Sequence, residues 1–390
     1  MTAQGRVARP VIAHLLHQDE FSGGPFSISD LVSSLQTRYE NVVLHGGAGV
    51  LAETCDRLHI RRIHLPVDRL YKCVWGFFAL CSALRRVRPD LLLLHGQWGG
   101  FFGAIAGRMT GINHVVYIAR WPAFYSDWDW WRINRNFVCE WTPCRLSDKV
   151  VVLSESSRQQ YLIRHWPAQT KLTVIPNTLN PTLIPTAEAA AALRAAKGWN
   201  NQECHVVCAT RLVAEKHVDW LLKSWGHVKQ KCPNAKLWIV GGGKLHSSLE
   251  KEARSLGLGE TCSFLGHCPN GIEYIAAADI VAFPSTAETF GRAALEGMAC
   301  GKPIVASNVD GLRDLLLDGQ TALLAPAGNI DLFANHLCRL IQDGRLRDKM
   351  GAAGKLNAVR FFPEAVMPLY FALIEELLGG VSAPPAVRTQ

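Results

Sequence analysis

Residues 278–307 read ADIVAFPSTAETFGRAALEGMACGKPIVAS, and the fold of the whole chain can be built outward from them. The apolar run 280–283 predicts a short buried strand, and Pro284, Ser285 and Thr286 a tight turn. The chain tightens again at Gly291 before residues 292–299 wind into helix. Gly301 closes that helix, Pro303 follows, and residues 304–306 resume extended structure. A helix starting at the carboxyl end of a buried strand marks the ligand edge of an open α/β sheet. Its first-turn amides, near Thr289, Phe290 and Gly291, suit a phosphate or a sugar hydroxyl. Glu288 and Glu296 are eight residues apart, a little over two turns if the whole segment were regular helix, which would set one at the mouth of the turn and one deeper along the same face.

The chain of 390 residues suits two domains of middling size, and 48% hydrophobic residues can fill their cores. No apolar, uncharged run is long enough to span a bilayer, for which about 18 residues are needed. The first residues carry no cleavable leader pattern, so the expected location is the cytoplasm. Twelve cysteines and 14 histidines lack the spacing of a disulfide frame or metal site, and neither metal nor cofactor is expected. The net charge of +8 lies almost wholly in residues 1–180, which hold 20 Lys and Arg against 13 Asp and Glu. Such a half suits an anionic partner; without a nucleic-acid motif, a membrane surface or a lipid diphosphate is preferred.

Glu288-Thr-Phe-Gly followed by Glu296-Gly-Met-Ala-Cys-Gly-Lys-Pro closely resembles the E-x7-E signature of retaining family 4 glycosyltransferases, also called glycosyl transferases group 1. The resemblance runs through most of the chain. Residues 206–209 form a strand, and Thr210-Arg211-Leu212 with Lys216-His217 is similar to the family's G-R-L-x-x-x-K-G segment. There Arg211 and Lys216 would hold the donor diphosphate and stabilise the charge growing on it. Thr210 and His217 stand where the family has glycine. Gly241 and Gly243 match the V-G-x-G loop, and Gly266 with His267 the turn that reads the nucleobase. Residues 310–314 and 318–319 resemble the family's later turns. The resemblance implies that Glu288 contacts the donor sugar, beside the Phe290 and Gly291 amides, and that Glu296 accepts from the ribose.

In the first half, strand 10–17, the Ser22-Gly23-Gly24-Pro25 turn and helix 26–39 open the chain as phosphate-binding units do. The resemblance lays Gly23 and Gly24 over the donor diphosphate, beside the acceptor. Residues 69–88 hold five basic residues and no acid around an apolar centre. They suit either a core helix or an aromatic-rich helix resting on an anionic bilayer. Asp90 and His95 match a D-x-x-x-x-H segment at strand 91–94; His95 reads equally as an ordinary strand-end histidine. After strand 114–118 the family places a histidine near the reacting sugar, whereas this chain has Ala119-Arg120-Trp121. Arg120 suits an anionic acceptor or loop support. Residues 121–141 contain five tryptophans, Trp121 and Trp128 among them, which suit sugar stacking, a lipid-linked acceptor or capping of the core.

Alternating strands and helices on both sides of Asn180 predict an α/β protein of two Rossmann-like, doubly wound domains facing across a cleft, the GT-B arrangement. The expected division is an acceptor domain over 1–180 and a nucleotide-sugar domain over 181–365. A helix over 366–380 crosses back, and a disordered tail covers 381–390. The implied activity is metal-independent, retaining transfer of a sugar from a nucleotide-sugar donor to a glycan or lipid-linked acceptor in lipopolysaccharide, exopolysaccharide or other glycoconjugate synthesis. The enzyme would sit on the inner membrane face. A non-catalytic relative and a nucleotide-sugar epimerase are the alternatives.

Overall fold

In the computed structural model, residues 9–17, 23–47, 49–65, 74–120 and 130–379 are described. The chain forms two compact units. The first comprises residues 1–178 with 363–390, and the second residues 179–362.

The first unit is built on seven strands: β1 (Val11–Leu16), β2 (Glu40–His45), β3 (Arg61–His64), β4 (Leu91–His95), β5 (His114–Ala119), β6 (Lys149–Val152) and β7 (Leu172–Val174). All pair in parallel in the order β3-β2-β1-β4-β5-β6-β7. The order reverses between β1 and β4, which opens a crevice at their carboxyl ends. Leu15, Leu44, Leu92, Leu94 and Tyr117 fill one core. Strands buried on both faces explain why these segments read as unbroken apolar runs and not as alternating ones.

The glycines after β4 have a different use from the one their loop-like composition suggests. The helix begins already at Gln97 and runs to Met109, so Gly99 and Gly100 lie inside it. A Cβ on Gly99 would approach the Leu15 carbonyl oxygen at 3.2 Å, and one on Gly100 would sit 2.5 Å from the Tyr117 ring. The pair lets the helix lie directly on the sheet. The helix Val74–Val87 packs one face on the core and leaves aromatic side chains on the other. Leu80, Cys81 and Leu84 are buried, while Trp75 and Phe78 are exposed by 79% and 55%. The helix Pro363–Leu377 belongs to this unit and starts earlier than the sequence suggests. Its Glu375 meets Arg38 at 3.1 Å and Glu376 meets Lys149 at 2.7 Å.

The second unit repeats the plan with six strands: β8 (Cys204–Ala209), β9 (Ala235–Val240), β10 (Cys262–Gly266), β11 (Ile280–Phe283), β12 (Ile304–Ser307) and β13 (Ala322–Ala325). Their order is β10-β9-β8-β11-β12-β13, again parallel, with the reversal between β8 and β11. Trp225, Leu221, Ile239, Phe333 and Leu337 belong to its core. Residues 310–314, read from the sequence as a turn, begin a short helix, Asp310–Leu315. No helix among the described residues is long and apolar enough to cross a membrane.

Candidate functional site

The switch point of the second unit gathers most of the residues singled out in the sequence. After β8 the chain passes Thr210 and Arg211, makes one tight turn over Ala214–Lys216 and enters the helix Val218–Lys231 through His217. His217 has φ 41°, in the left-handed region that favours glycine, and stacks on Trp220 with ring centroids 3.8 Å apart. That geometry explains why a glycine is the simpler occupant of this position. Lys216 is buried and its Nζ lies 2.5 Å from Glu288 Oε1. Ser285 Oγ donates to the same oxygen at 3.2 Å. The two loops are tied by backbone as well, the Thr286 amide donating to the Glu215 carbonyl at 3.0 Å.

Arg211 contrasts with Lys216. Its side chain is exposed and meets only Glu215 loosely, at 3.9 Å, among the ion pairs of the described residues. The segment that carries it is clamped by the glycines after β9. Leu212 donates its amide to the Gly242 carbonyl at 2.9 Å, and Leu245 donates to the Leu212 carbonyl at 3.1 Å. Gly241 and Gly243 have φ of 140° and 157°, and a Cβ on either would overlap the backbone of Thr210 or Leu212. Only glycine lets the loops touch in this way. Gly241 also donates to the Gly266 carbonyl at 2.8 Å, and His267 beyond it is exposed.

The E-x7-E stretch is not one continuous helix. Glu288 to Phe290 form a loop, Gly291 caps in the left-handed region at φ 88°, and Arg292–Ala299 is helical. Glu296 therefore has a different neighbour from Glu288, Arg292 Nε at 3.0 Å. The Phe290 ring is buried edge-on against Phe361 at 5.4 Å. Thr289 is buried too. Gly311 donates to the Glu288 carbonyl at 2.9 Å, and its bare Cα rests on the Thr289–Phe290 peptide.

In the first unit a buried polar chain runs through the sheet to its carboxyl edge. Asn41 Oδ1 meets His14 Nε2 at 2.9 Å, His14 Nδ1 meets His95 Nε2 at 3.2 Å, and His95 Nδ1 meets Arg120 Nη2 at 3.5 Å. Arg120 Nη1 also donates to Asn177 Oδ1 at 2.8 Å. Burial, opposed in part by the Asn41 hydrogen bond, lowers the His14 pKa to about 4. Burial, then the Arg120 charge, holds His95 well below the ordinary histidine range. Asp90 lies at the other end of β4 from His95, where its Oδ2 accepts from the Val11 amide at 2.7 Å. Gly23 and Gly24 begin the helix Gly23–Leu35, and the space around Gly24 is open. Trp121 and Trp128 lie outside the described residues.

A sequence model described as Glycosyl transferases group 1 matches residues 190–357, and one described as Glycosyltransferase Family 4 matches residues 21–183. The chain belongs to the family 4 glycosyltransferases. Among its relatives in that family is the GDP-mannose-dependent alpha-(1-6)-phosphatidylinositol monomannoside mannosyltransferase of Mycolicibacterium smegmatis. The two are 28% identical over 54% of this chain and 57% of that one. The D-inositol 3-phosphate glycosyltransferase of Streptomyces bingchenggensis is 29% identical over 67% of this chain and 66% of its own. The matched stretch thus spans less than two thirds of either relative. In fold, the chain resembles Anabaena HepE, crystallised with UDP and glucose, at TM-score 0.83 and 21% identity, covering 94% and 100% of the two chains. It also resembles WaaG, a glycosyltransferase involved in lipopolysaccharide biosynthesis, at TM-score 0.76 and 16% identity, covering 95% and 100%.

Within this family 4 chain the structure joins Lys216 to Glu288 and His95 to Arg120, and it adds partners that the sequence does not single out. Ser285 and Arg292 sit within the quoted stretch, but their ordinary residue types gave no signal. His14, Asn41 and Asn177 come together only through the sheet. Among the described residues no group of three or more His, Cys, Asp or Glu is placed to hold a metal ion.

The buried His14 makes a pH prediction. With a folded pKa of about 4 against 6.5 unfolded, the folded chain binds fewer protons between those values. Its contribution is therefore full above pH 6.5 and is lost as the pH falls towards 4, amounting to about 3 kcal/mol. Urea unfolding of the first unit, followed from pH 7.5 to 4, should show this slope, and His14→Gln should flatten it.

Proposed function

We propose that the protein transfers a sugar from a nucleotide-sugar donor, bound at the second unit, to an acceptor hydroxyl, with retention of configuration. The observation that carries this reading is the Lys216–Glu288 pair at the β8/β11 switch point, beside the glycine-clamped loop bearing Arg211. The two cations stabilise the charge that gathers on the leaving diphosphate, so the reading invokes no metal. Glu288 is offered to the sugar hydroxyls and Glu296 to the ribose. Lys216 is already neutralised by Glu288, so a diphosphate must share it, while the exposed fork of Arg211 is the readier contact.

The acceptor is proposed to be lipid-linked or a growing surface glycan, met from the cytoplasm at the inner membrane face. The exposed Trp75 and Phe78, on a helix whose last turn holds Arg85 and Arg86, support that face. The two named relatives act on a phosphatidylinositol mannoside and an inositol phosphate, which favours an acceptor bearing phosphate.

A thermal-shift panel of nucleoside diphosphates and nucleotide sugars, run with EDTA, tests the donor site. At a hundred times its dissociation constant, a true ligand adds about 2.7 kcal/mol to folding stability. One nucleobase should stand out, and proton NMR of the product should show the donor's anomeric configuration. A flat panel on folded protein would favour a non-catalytic family member, the reading to which Arg120 in place of histidine points.

A further inference from the structure

The chain Asn41–His14–His95–Arg120 has a direction, and the direction assigns a task. Arg120 carries only donors, so His95 Nδ1 must accept from it. His95 Nε2 is then the protonated nitrogen and donates to His14 Nδ1, leaving His14 Nε2 to donate to Asn41 Oδ1. Asn41 is oriented for this, because its Nδ2 faces the Tyr39 carbonyl at 3.4 Å. The rings lie parallel, 2° apart, with centroids at 5.5 Å. Both imidazoles are buried and neutral, each in one tautomer.

A buried polar chain through an apolar sheet is costly to assemble, and its hydrogen bonds pin its members. Four adjacent strands contribute: Asn41 is on β2, His14 is on β1, His95 ends β4, and Arg120 directly follows β5. Their carboxyl edge includes the β1/β4 switch point, where ligands bind in such sheets. Simple core packing asks only for apolar volume there, and has no use for a directed chain that ends on a partly buried guanidinium.

We propose that His14 and His95 are positioning residues that, with Asn177, fix the plane of Arg120 so that it receives a phosphoryl group on the ligand of the first unit. A guanidinium held in plane matches phosphate oxygens as a fork, which a mobile one does only after losing rotamer freedom. This rests on the glycosyltransferase reading only for the source of the phosphoryl group, an acceptor that carries either a single phosphate or a lipid-linked diphosphate.

The test uses the full chain carrying Arg211→Ala and Lys216→Ala, so that phosphate binding in the second unit is silent. Inorganic pyrophosphate and glycerol 3-phosphate are titrated separately by calorimetry. Adding Arg120→Gln or His95→Met should weaken the bound probe about tenfold or more, the loss of a charge-assisted hydrogen bond. His95→Gln should stay within about threefold of the parent, because its amide accepts from Arg120 and donates to His14 as the imidazole does. Tighter pyrophosphate assigns the site to a diphosphate-linked acceptor, and tighter glycerol 3-phosphate to an acceptor with a single phosphate. Binding unchanged by Arg120→Gln, His95→Gln as weak as His95→Met, or no binding of either probe to the parent would overturn the proposal. Arg120→Gln and His95→Gln decide the question whether or not His95→Met folds. The nucleotide panel on the unmutated chain separately judges the donor site.

Discussion

Arg211→Ala combined with Lys216→Ala is expected to lower kcat/KM for sugar transfer about a thousandfold or more, with the fold intact. Removing one preorganised donor from developing charge costs about a hundredfold to a thousandfold, and this change removes two cations. The single variants should differ in kind. Arg211 is exposed and only loosely held by Glu215, so Arg211→Ala should cost activity and leave the unfolding midpoint alone. Lys216 and Glu288 are largely buried together, with side chains 8% and 15% exposed. Lys216→Ala strands the carboxylate, and breaking such a pair costs about 3–5 kcal/mol when it is fully buried. Lys216→Ala/Glu288→Gln should recover much of that stability and none of the activity. A double-mutant cycle read by urea unfolding and by initial rates separates the two roles. Activity that survives in the Arg211/Lys216 double variant would remove these residues from the chemistry.

Gly241→Ala should destabilise the second unit by about 4 kcal/mol or more, a cost reserved for backbone collisions and similar failures. Its Cβ would overlap the Thr210 carbonyl oxygen, and both partners are backbone held by sheet hydrogen bonds. The φ of 140° adds strain that any side chain would feel. The contrast is Gly226, inside the helix Val218–Lys231, where an added methyl would have nothing within 4 Å. Gly226→Ala should stabilise by about 0.5–1 kcal/mol. Chemical unfolding of the two variants checks both signs, and equal effects would contradict the close approach of the β8 and β9 loops. Because that approach positions Arg211, any folded Gly241→Ala protein should also bind nucleotide poorly.

How much of this was legible beforehand depends on the range of the interaction. The strand Ile280–Phe283 and helix Arg292–Ala299 could be read to the residue, because apolar run, glycine and proline act within a few positions. β13 went unread: four apolar residues carry no period of their own. Residues 310–314 look like a turn, yet they form helix because the bare Gly311 lets that helix sit on the Thr289–Phe290 peptide.

The sequence alone determined the alternating architecture, the glycine-rich loops and the family signature, since each is written in local patterns of burial and turn chemistry. Tertiary structure alone decided the partners. Lys216 and Glu288 are 72 positions apart, and His14 and His95 81. Which side chains meet across such separations is set by strand order and register, which no local pattern encodes. The sheet turns an isolated lysine into half of a buried pair, and two ordinary histidines into the support of Arg120.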